Sequence, residues 1–212
     1  GAATHLSRFF VSHPMVFFAE IEDLARKGVK DIQITADLRT AVTTPWDMAI
    51  NQAAEIFRGG DKHGSCGLGF GETLERQEQG PMLCMNDLWR PDLARFLDEI
   101  SSSWVPQRLA ALGLDSIPDH LKPVLGNAPE VVERFYDDLR HFTQYVSIMS
   151  DSALGDRDAI VFEGAQGLQL DMDLGEFPHV TRSHTGAKNM VEIARDAEIT
   201  DLEIIYITRA YA

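Results

Sequence analysis

Residues 159–185 read AIVFEGAQGLQLDMDLGEFPHVTRSHT. The run opens with Ala159-Ile160-Val161-Phe162, apolar and rich in β-branched and aromatic side chains, and it predicts a buried strand. It breaks at once into Glu163-Gly164-Ala165-Gln166-Gly167, where small residues around one glutamine let a ligand approach the main chain. A loop just past the carboxyl end of a strand is where small ligands bind in open α/β sheets. Asp171, Asp173 and Pro178 follow, and then a polar cluster of Thr181, Arg182, Ser183, His184 and Thr185. Hydroxyls, an amide and an arginine close together suit a phosphorylated, hydrogen-bonding substrate.

Outward from this stretch, the chain alternates helical and strand patterns. Pro14 to Lys27 predicts an amphipathic helix, with Phe17, Phe18, Ile21 and Leu24 at helical spacing and Gly28 as a stop. Val29 to Ala36 predicts a core strand, and Pro45 to Phe57 a second helix closed by Gly59-Gly60. Pro91 to Leu112 is long and helical in pattern. Ser101-Ser102-Ser103 is expected to weaken or break it, and Pro106 to begin a new helix near Val105. Leu114 to Asn127 reads as a loop and Pro129 to Ser150 as one helix. His120 and His141 read as ordinary structural or solvated histidines. Ala187 to Glu198 predicts a helix, and Leu202 to Thr208, LEIIYIT, an apolar strand. Helix, strand and helix in succession indicate an α/β layer architecture.

Asp61 to Glu75, DKHGSCGLGFGETLE, is the second informative stretch. Gly64, Gly67, Gly69 and Gly71 recur around Ser65 and Cys66. Such a loop can turn backbone N–H groups toward an anion, with the Ser65 hydroxyl beside them; a flexible surface loop has the same composition. No Gly-Lys-Ser/Thr follows, so this is not a P-loop, and no clear strand leads into it as a dinucleotide fingerprint requires.

The motifs together resemble the central signature of adenylosuccinate synthetases, in which a strand runs into EGAQG, then L-D-x-D-x-G, then P-x-V-T-x-S. Glu163–Gly167, Leu170–Gly175 and Pro178–Ser183 match these in order and without a gap. The resemblance implies a P-loop-NTPase-like α/β fold with a largely parallel central sheet flanked by helices. The chain is read as a single α/β domain over residues 1–212, an internal piece incomplete at both ends. It implies that Gln166 orients the 6-position of a purine, against the plainer reading in which its amide caps its own turn. It places a phosphate contact at Thr181, which is otherwise an ordinary loop threonine. Ser65-Cys66-Gly67 stands where the family carries T-T-G on the substrate phosphate, and Arg76 is the nearest arginine for a contact to a neighbouring subunit's nucleotide. Ser65 keeps a hydroxyl there, whereas Cys66 donates only weakly.

Asp171 and Asp173 have the look of a hard-cation pair, but they read as loop-bracing residues, because the family's magnesium ligands are expected outside this chain. His184 is expected to orient substrate. The implied activity is a purine nucleotide ligase that joins aspartate to a purine monophosphate (IMP) at the expense of GTP or ATP, in a cytoplasmic homodimer. The family's base-bearing GDEGKGK loop does not occur in the chain, so the piece alone is expected not to turn over. The Ser-Cys loop and the Thr181–Gly186 run also resemble a divergent viral branch acting on dGMP. A non-catalytic nucleotide-binding or dimerisation module is the alternative from another class.

With 212 residues and a formal net charge of −14, the chain is suited neither to nonspecific nucleic-acid binding nor to an anionic membrane surface. A phosphate site must then be local, made of backbone N–H groups and a few basic side chains. No apolar run reaches the ~20 residues of a membrane span. Cys66 and Cys84 are expected to be reduced thiols.

Overall fold

A computed structural model describes residues 2–61, 64–164 and 166–208. Gly1, Lys62, His63, Ala165 and Arg209–Ala212 lie outside the described residues; of these, Lys62, His63 and Ala165 belong to the two loop stretches read above. The chain divides into two compact units, Gly1–Met149 and Ser150–Ala212.

The first unit begins with β1 (Thr4–Leu6), β2 (Val11–Ser12), α1 (Pro14–Arg26), β3 (Ile34–Ala36), β4 (Ala41–Val42) and α2 (Pro45–Arg58). β1 pairs parallel with β3, and β2 parallel with β4. This is one βαβ crossover whose ladder is interrupted at residues 7–10 and 37–40. The interruption is stitched by Asp37 N–H on the Leu6 carbonyl at 2.9 Å and by the Thr40 hydroxyl on the Leu6 and Ser7 carbonyls. The predicted strand from Val29 is therefore short. Asp31 has a positive φ, and pairing starts only at Ile34.

After α2 come α3 (Phe70–Gln79), α4 (Leu93–Glu99), α5 (Val105–Ala111), α6 (Lys122–Leu125), α7 (Pro129–Phe142) and β5 (Val146–Ile148). α4 and α5 are not broken at the serines. A π-helical turn, Ile100–Trp104, joins them. Ile100 and Trp104 anchor that turn in the core, and the wider turn accommodates Pro106, which has no N–H to give the preceding turn. α7 ends at Phe142, short of the predicted Ser150, because Val146 to Ile148 instead add to β3 as a third parallel strand, giving the order β1-β3-β5. α1 packs on α7 through Phe17 on Phe142, edge-to-face at 4.8 Å. His141 stacks on Phe18 at 4.4 Å, the structural role expected of it. Trp46, Ile50, Leu83, Leu97, Phe135 and Leu139 form the centre of the core. Helices on parallel strands give the α/β class read from the sequence.

The second unit holds a 3₁₀ segment Asp151–Asp156, a short 3₁₀ turn Leu168–Leu170 and α8 (Lys188–Asp196). Gly155 lies against the Ala197 carbonyl, where any Cβ would collide; Leu154, Ile193 and Ala194 are buried in the same unit. The two predicted strands of this unit do not form. Among the described residues neither 159–162 nor 202–208 pairs with another strand, and Val161 and Ile207 are 92% and 94% exposed. Apolar, β-branched composition makes a strand only when a partner supplies its hydrogen bonds. Among the described residues no helix is long and apolar enough to cross a membrane.

Candidate functional site

The glycine-rich stretch is a loop between α2 and α3. Gly64, Gly67 and Gly69 all have positive φ, at 75°, 73° and 82°. Gly69 is required on two grounds. Its φ is left-handed, and a Cβ there would lie 2.6 Å from the Met48 nitrogen in the first turn of α2. The loop is clamped from one face of α2. The Asn51 amide donates to the Ser65 hydroxyl at 3.0 Å, and its oxygen accepts from Gly69 N–H at 3.3 Å. Gln52 donates to the Gly67 carbonyl, and Gly64 N–H donates to Glu55. Sequence reasoning missed Asn51, Gln52 and Glu55. Their polar side chains at positions 51, 52 and 55, next to the buried Ile50, Ala53 and Ala54 of the same helix, were the available signal.

Ser65 and Cys66 are exposed on this loop. Cys84 is half-buried, and burial together with the nearby Asp87 carboxylate pushes its thiol up, so little of it is thiolate near neutrality. Iodoacetamide at pH 8 is therefore expected to alkylate Cys66 roughly ten times faster than Cys84. A mass-spectrometric time course checks this, and faster labelling of Cys84 would contradict the exposed loop.

Arg76 does not reach the surface. It is 0% exposed, as is Asp47. Its Nε and Nη2 donate to the Asp47 carboxylate, Nη2 also to the Val42 carbonyl at 2.8 Å, and Nη1 to the Pro81 carbonyl at 2.9 Å. All three nitrogens are engaged within the fold. In place of the expected nucleotide contact, the guanidinium ties α3 to the N-terminus of α2. Thr73, also buried, extends the cluster by donating to the Gly69 carbonyl at 3.0 Å, and its hydroxyl lies 2.9 Å from that of Thr43. The glycine loop thus rests on a buried polar network at its α3 end.

In the second unit, the signature stretch folds around Asp171. This carboxylate is 3% exposed. It accepts backbone N–H bonds from Asp173 (2.9 Å), Leu174 (3.2 Å), Thr185 (2.6 Å) and Gly186 (3.1 Å). These donors, Asp173 first, hold it at about 2, well below the ordinary carboxylate value. Thr181 N–H donates to the Leu170 carbonyl at 2.7 Å, Met172 N–H to Ser183, and the Thr185 hydroxyl to the Gly167 carbonyl. Thr181 is thereby fixed against the segment that begins at Gln166-Gly167. Gln166 itself is exposed beside that fixed turn.

Asp171, Asp173 and His184 bring oxygen and nitrogen atoms within 4.8 Å of one another. The set does not fit magnesium. The Asp171 oxygens are taken by four amides, and one Asp173 oxygen faces both Lys188 Nζ at 3.2 Å and His184 Nδ1 at 3.3 Å. The geometry is that of a braced loop, and His184 serves it through Asp173.

A sequence model of adenylosuccinate synthetase matches residues 2–212. The chain belongs to the adenylosuccinate synthetase family. Among its relatives, the adenylosuccinate synthetase of Anaeromyxobacter sp. strain K is 34% identical over 196 residues, which is 90% of this chain and 44% of the relative. That of Trichodesmium erythraeum is 32% identical over 177 residues, covering 82% of this chain and 39% of the relative. The structure of fully ligated adenylosuccinate synthetase from Plasmodium falciparum superposes with a TM-score of 0.57 at 15% identity, over 92% of this chain and 43% of that one. That likeness is one of fold. The chain spans less than half the length of these adenylosuccinate synthetases.

Proposed function

We propose that this chain is the nucleotide-holding part of a purine nucleotide ligase of the adenylosuccinate synthetase type. In the proposed reaction, the 6-oxygen of inosine monophosphate attacks the γ-phosphorus of GTP, and GDP leaves. The amine of aspartate then attacks C6 and expels inorganic phosphate. Phosphorylation turns a poor leaving group into a good one, and catalysis rests on positioning and charge stabilisation.

The observation that carries this reading is the ungapped signature run together with the loop built around Asp171. Four amide donors converge on one carboxylate, which gives that run the fixed geometry a binding loop needs. In the second unit the proposal assigns Gln166 to the purine 6-position and Thr181 to phosphate. In the first unit it assigns Ser65 and Cys66 to phosphate. Aspartate, GTP or ATP, magnesium held by residues outside this chain, a homodimeric state and a cytoplasmic setting belong to the same proposal.

A second reading keeps the chemistry and changes the substrate to deoxyguanosine monophosphate. The cysteine at position 66 and the run Thr181–Gly186 favour it, since both depart from the usual pattern. Thermal unfolding with each nucleotide decides between them. A ligand at ~100 times its Kd adds ~2.7 kcal/mol to the folded state, a clear rise in Tm. A rise with inosine monophosphate alone supports the first substrate, and a rise with deoxyguanosine monophosphate alone the second. No rise with either counts against nucleotide binding by this chain.

A further inference from the structure

A loop of positive-φ glycines aims N–H groups at an anion. In this structure the anion beside the loop belongs to the protein. Gly64 N–H donates to one oxygen of Glu55 at 3.1 Å, and the other oxygen accepts from Arg58 Nη1 at 2.7 Å. The Glu55 side chain is largely covered, at 12% exposed, while Arg58 is more open. Glu55 lies one helical turn from Asn51, the residue that clamps Ser65 and Gly69, so both side chains leave α2 on the loop's side.

We propose that Glu55 is an internal stand-in for phosphate: its carboxylate holds Gly64 N–H until a phosphoester displaces it, and the displaced group's partner, Arg58, becomes a cation for the incoming phosphate. This rests on the reading of residues 64–69 as a phosphate loop. A carboxylate and a phosphate dianion repel each other at this range. Glu55 therefore lowers the loop's affinity for anions and reserves it for ligands that gain enough elsewhere to displace it. Discrimination by an opposing charge is a recognised route to specificity.

The test is a calorimetric titration of the 212-residue chain, at low ionic strength, with inorganic phosphate and separately with inosine and deoxyguanosine monophosphates. Glu55→Gln keeps an oxygen to accept from Gly64 but removes the charge. It is expected to tighten phosphate and nucleotide binding roughly tenfold, the equivalent of ~1.4 kcal/mol. Glu55→Ala should move affinity the same way, and Cys66 should alkylate faster in that variant because the Gly64 bond to position 55 is lost and the loop is released. A purely structural glutamate would give the opposite sign, with affinity lost on substitution. If wild type binds a nucleotide and both variants bind equally or more weakly, the stand-in is overturned while the phosphate loop survives. If no form binds phosphate or nucleotide, the loop reading and the stand-in both fail.

Discussion

Replacing Asp47 with alanine is expected to remove about 3–5 kcal/mol from the stability of the first unit, the usual effect of stripping one partner from a buried ion pair. The loss has two parts. Arg76 keeps its charge at 0% exposure with no carboxylate beside it. The capping box of α2, in which Thr44 N–H donates to Asp47 and Asp47 N–H to Thr44, loses its acidic half. Arg76→Met is expected to cost about as much, because it leaves the Asp47 carboxylate buried without its cation. The pair Asp47→Asn with Arg76→Met should cost less than the two single changes summed, since no uncompensated charge remains. Urea unfolding followed by tryptophan fluorescence measures all of these, with buried Trp46 reporting from α2 itself. If Asp47→Ala lies within about 1 kcal/mol of wild type, the pair is worth no more than a surface ion pair, and the buried network does not hold the glycine loop.

What the sequence disclosed, and what it concealed, divides along local and non-local physics. α1, α2 and α8 were legible because each carries its own signal. Pro14 and Pro45 start helices, Gly28 and Gly59 sit just past their ends, and the apolar residues recur at helical spacing. The glycine loop was legible for the same reason, since positive φ at Gly64, Gly67 and Gly69 needs no distant partner. β5 was hidden because Val146 and Met149 continue the apolar stripe of α7, and only pairing with Ile34–Ala36 puts Val146 to Ile148 in a strand. The stretches 159–162 and 202–208 erred the other way. Their composition is that of strands, yet among the described residues no strand pairs with them. Arg76 shows the same limit at the level of a side chain. Its neighbours in sequence suggested a surface arginine, and Asp47, contributed by another helix, places it in the core. Asp171 was legible as a brace because an aspartate followed closely by turn residues commonly accepts their N–H groups. The arrival of Thr185 and Gly186 on its second oxygen required the folded loop.

That second oxygen gives the sharpest test of the loop. Asp171→Asn preserves shape but leaves one acceptor where there were two, and it points an NH₂ at backbone N–H donors. Either the pair Asp173 and Leu174 or the pair Thr185 and Gly186 must then lose its bonds. Amide exchange at the abandoned pair is expected to accelerate roughly tenfold or more, while Leu139 and Ile50 amides in the first unit keep their protection. Thr181 should loosen with them, because its N–H bond to Leu170 is part of the same fold-back, and any nucleotide stabilisation that depends on Thr181 should weaken in parallel. The pH dependence follows from the direction of the shift. The folded carboxyl is held at about 2, below its ordinary 3.8. Its contribution is therefore complete above about 4 and is lost as pH falls from there toward 2. In wild type, exchange at Asp173, Leu174, Thr185 and Gly186 should speed up together across that window. In Asp171→Asn it should already be fast at neutral pH at one pair and show no such acid transition. An acid transition that persists unchanged in the variant would assign the brace to another carboxylate.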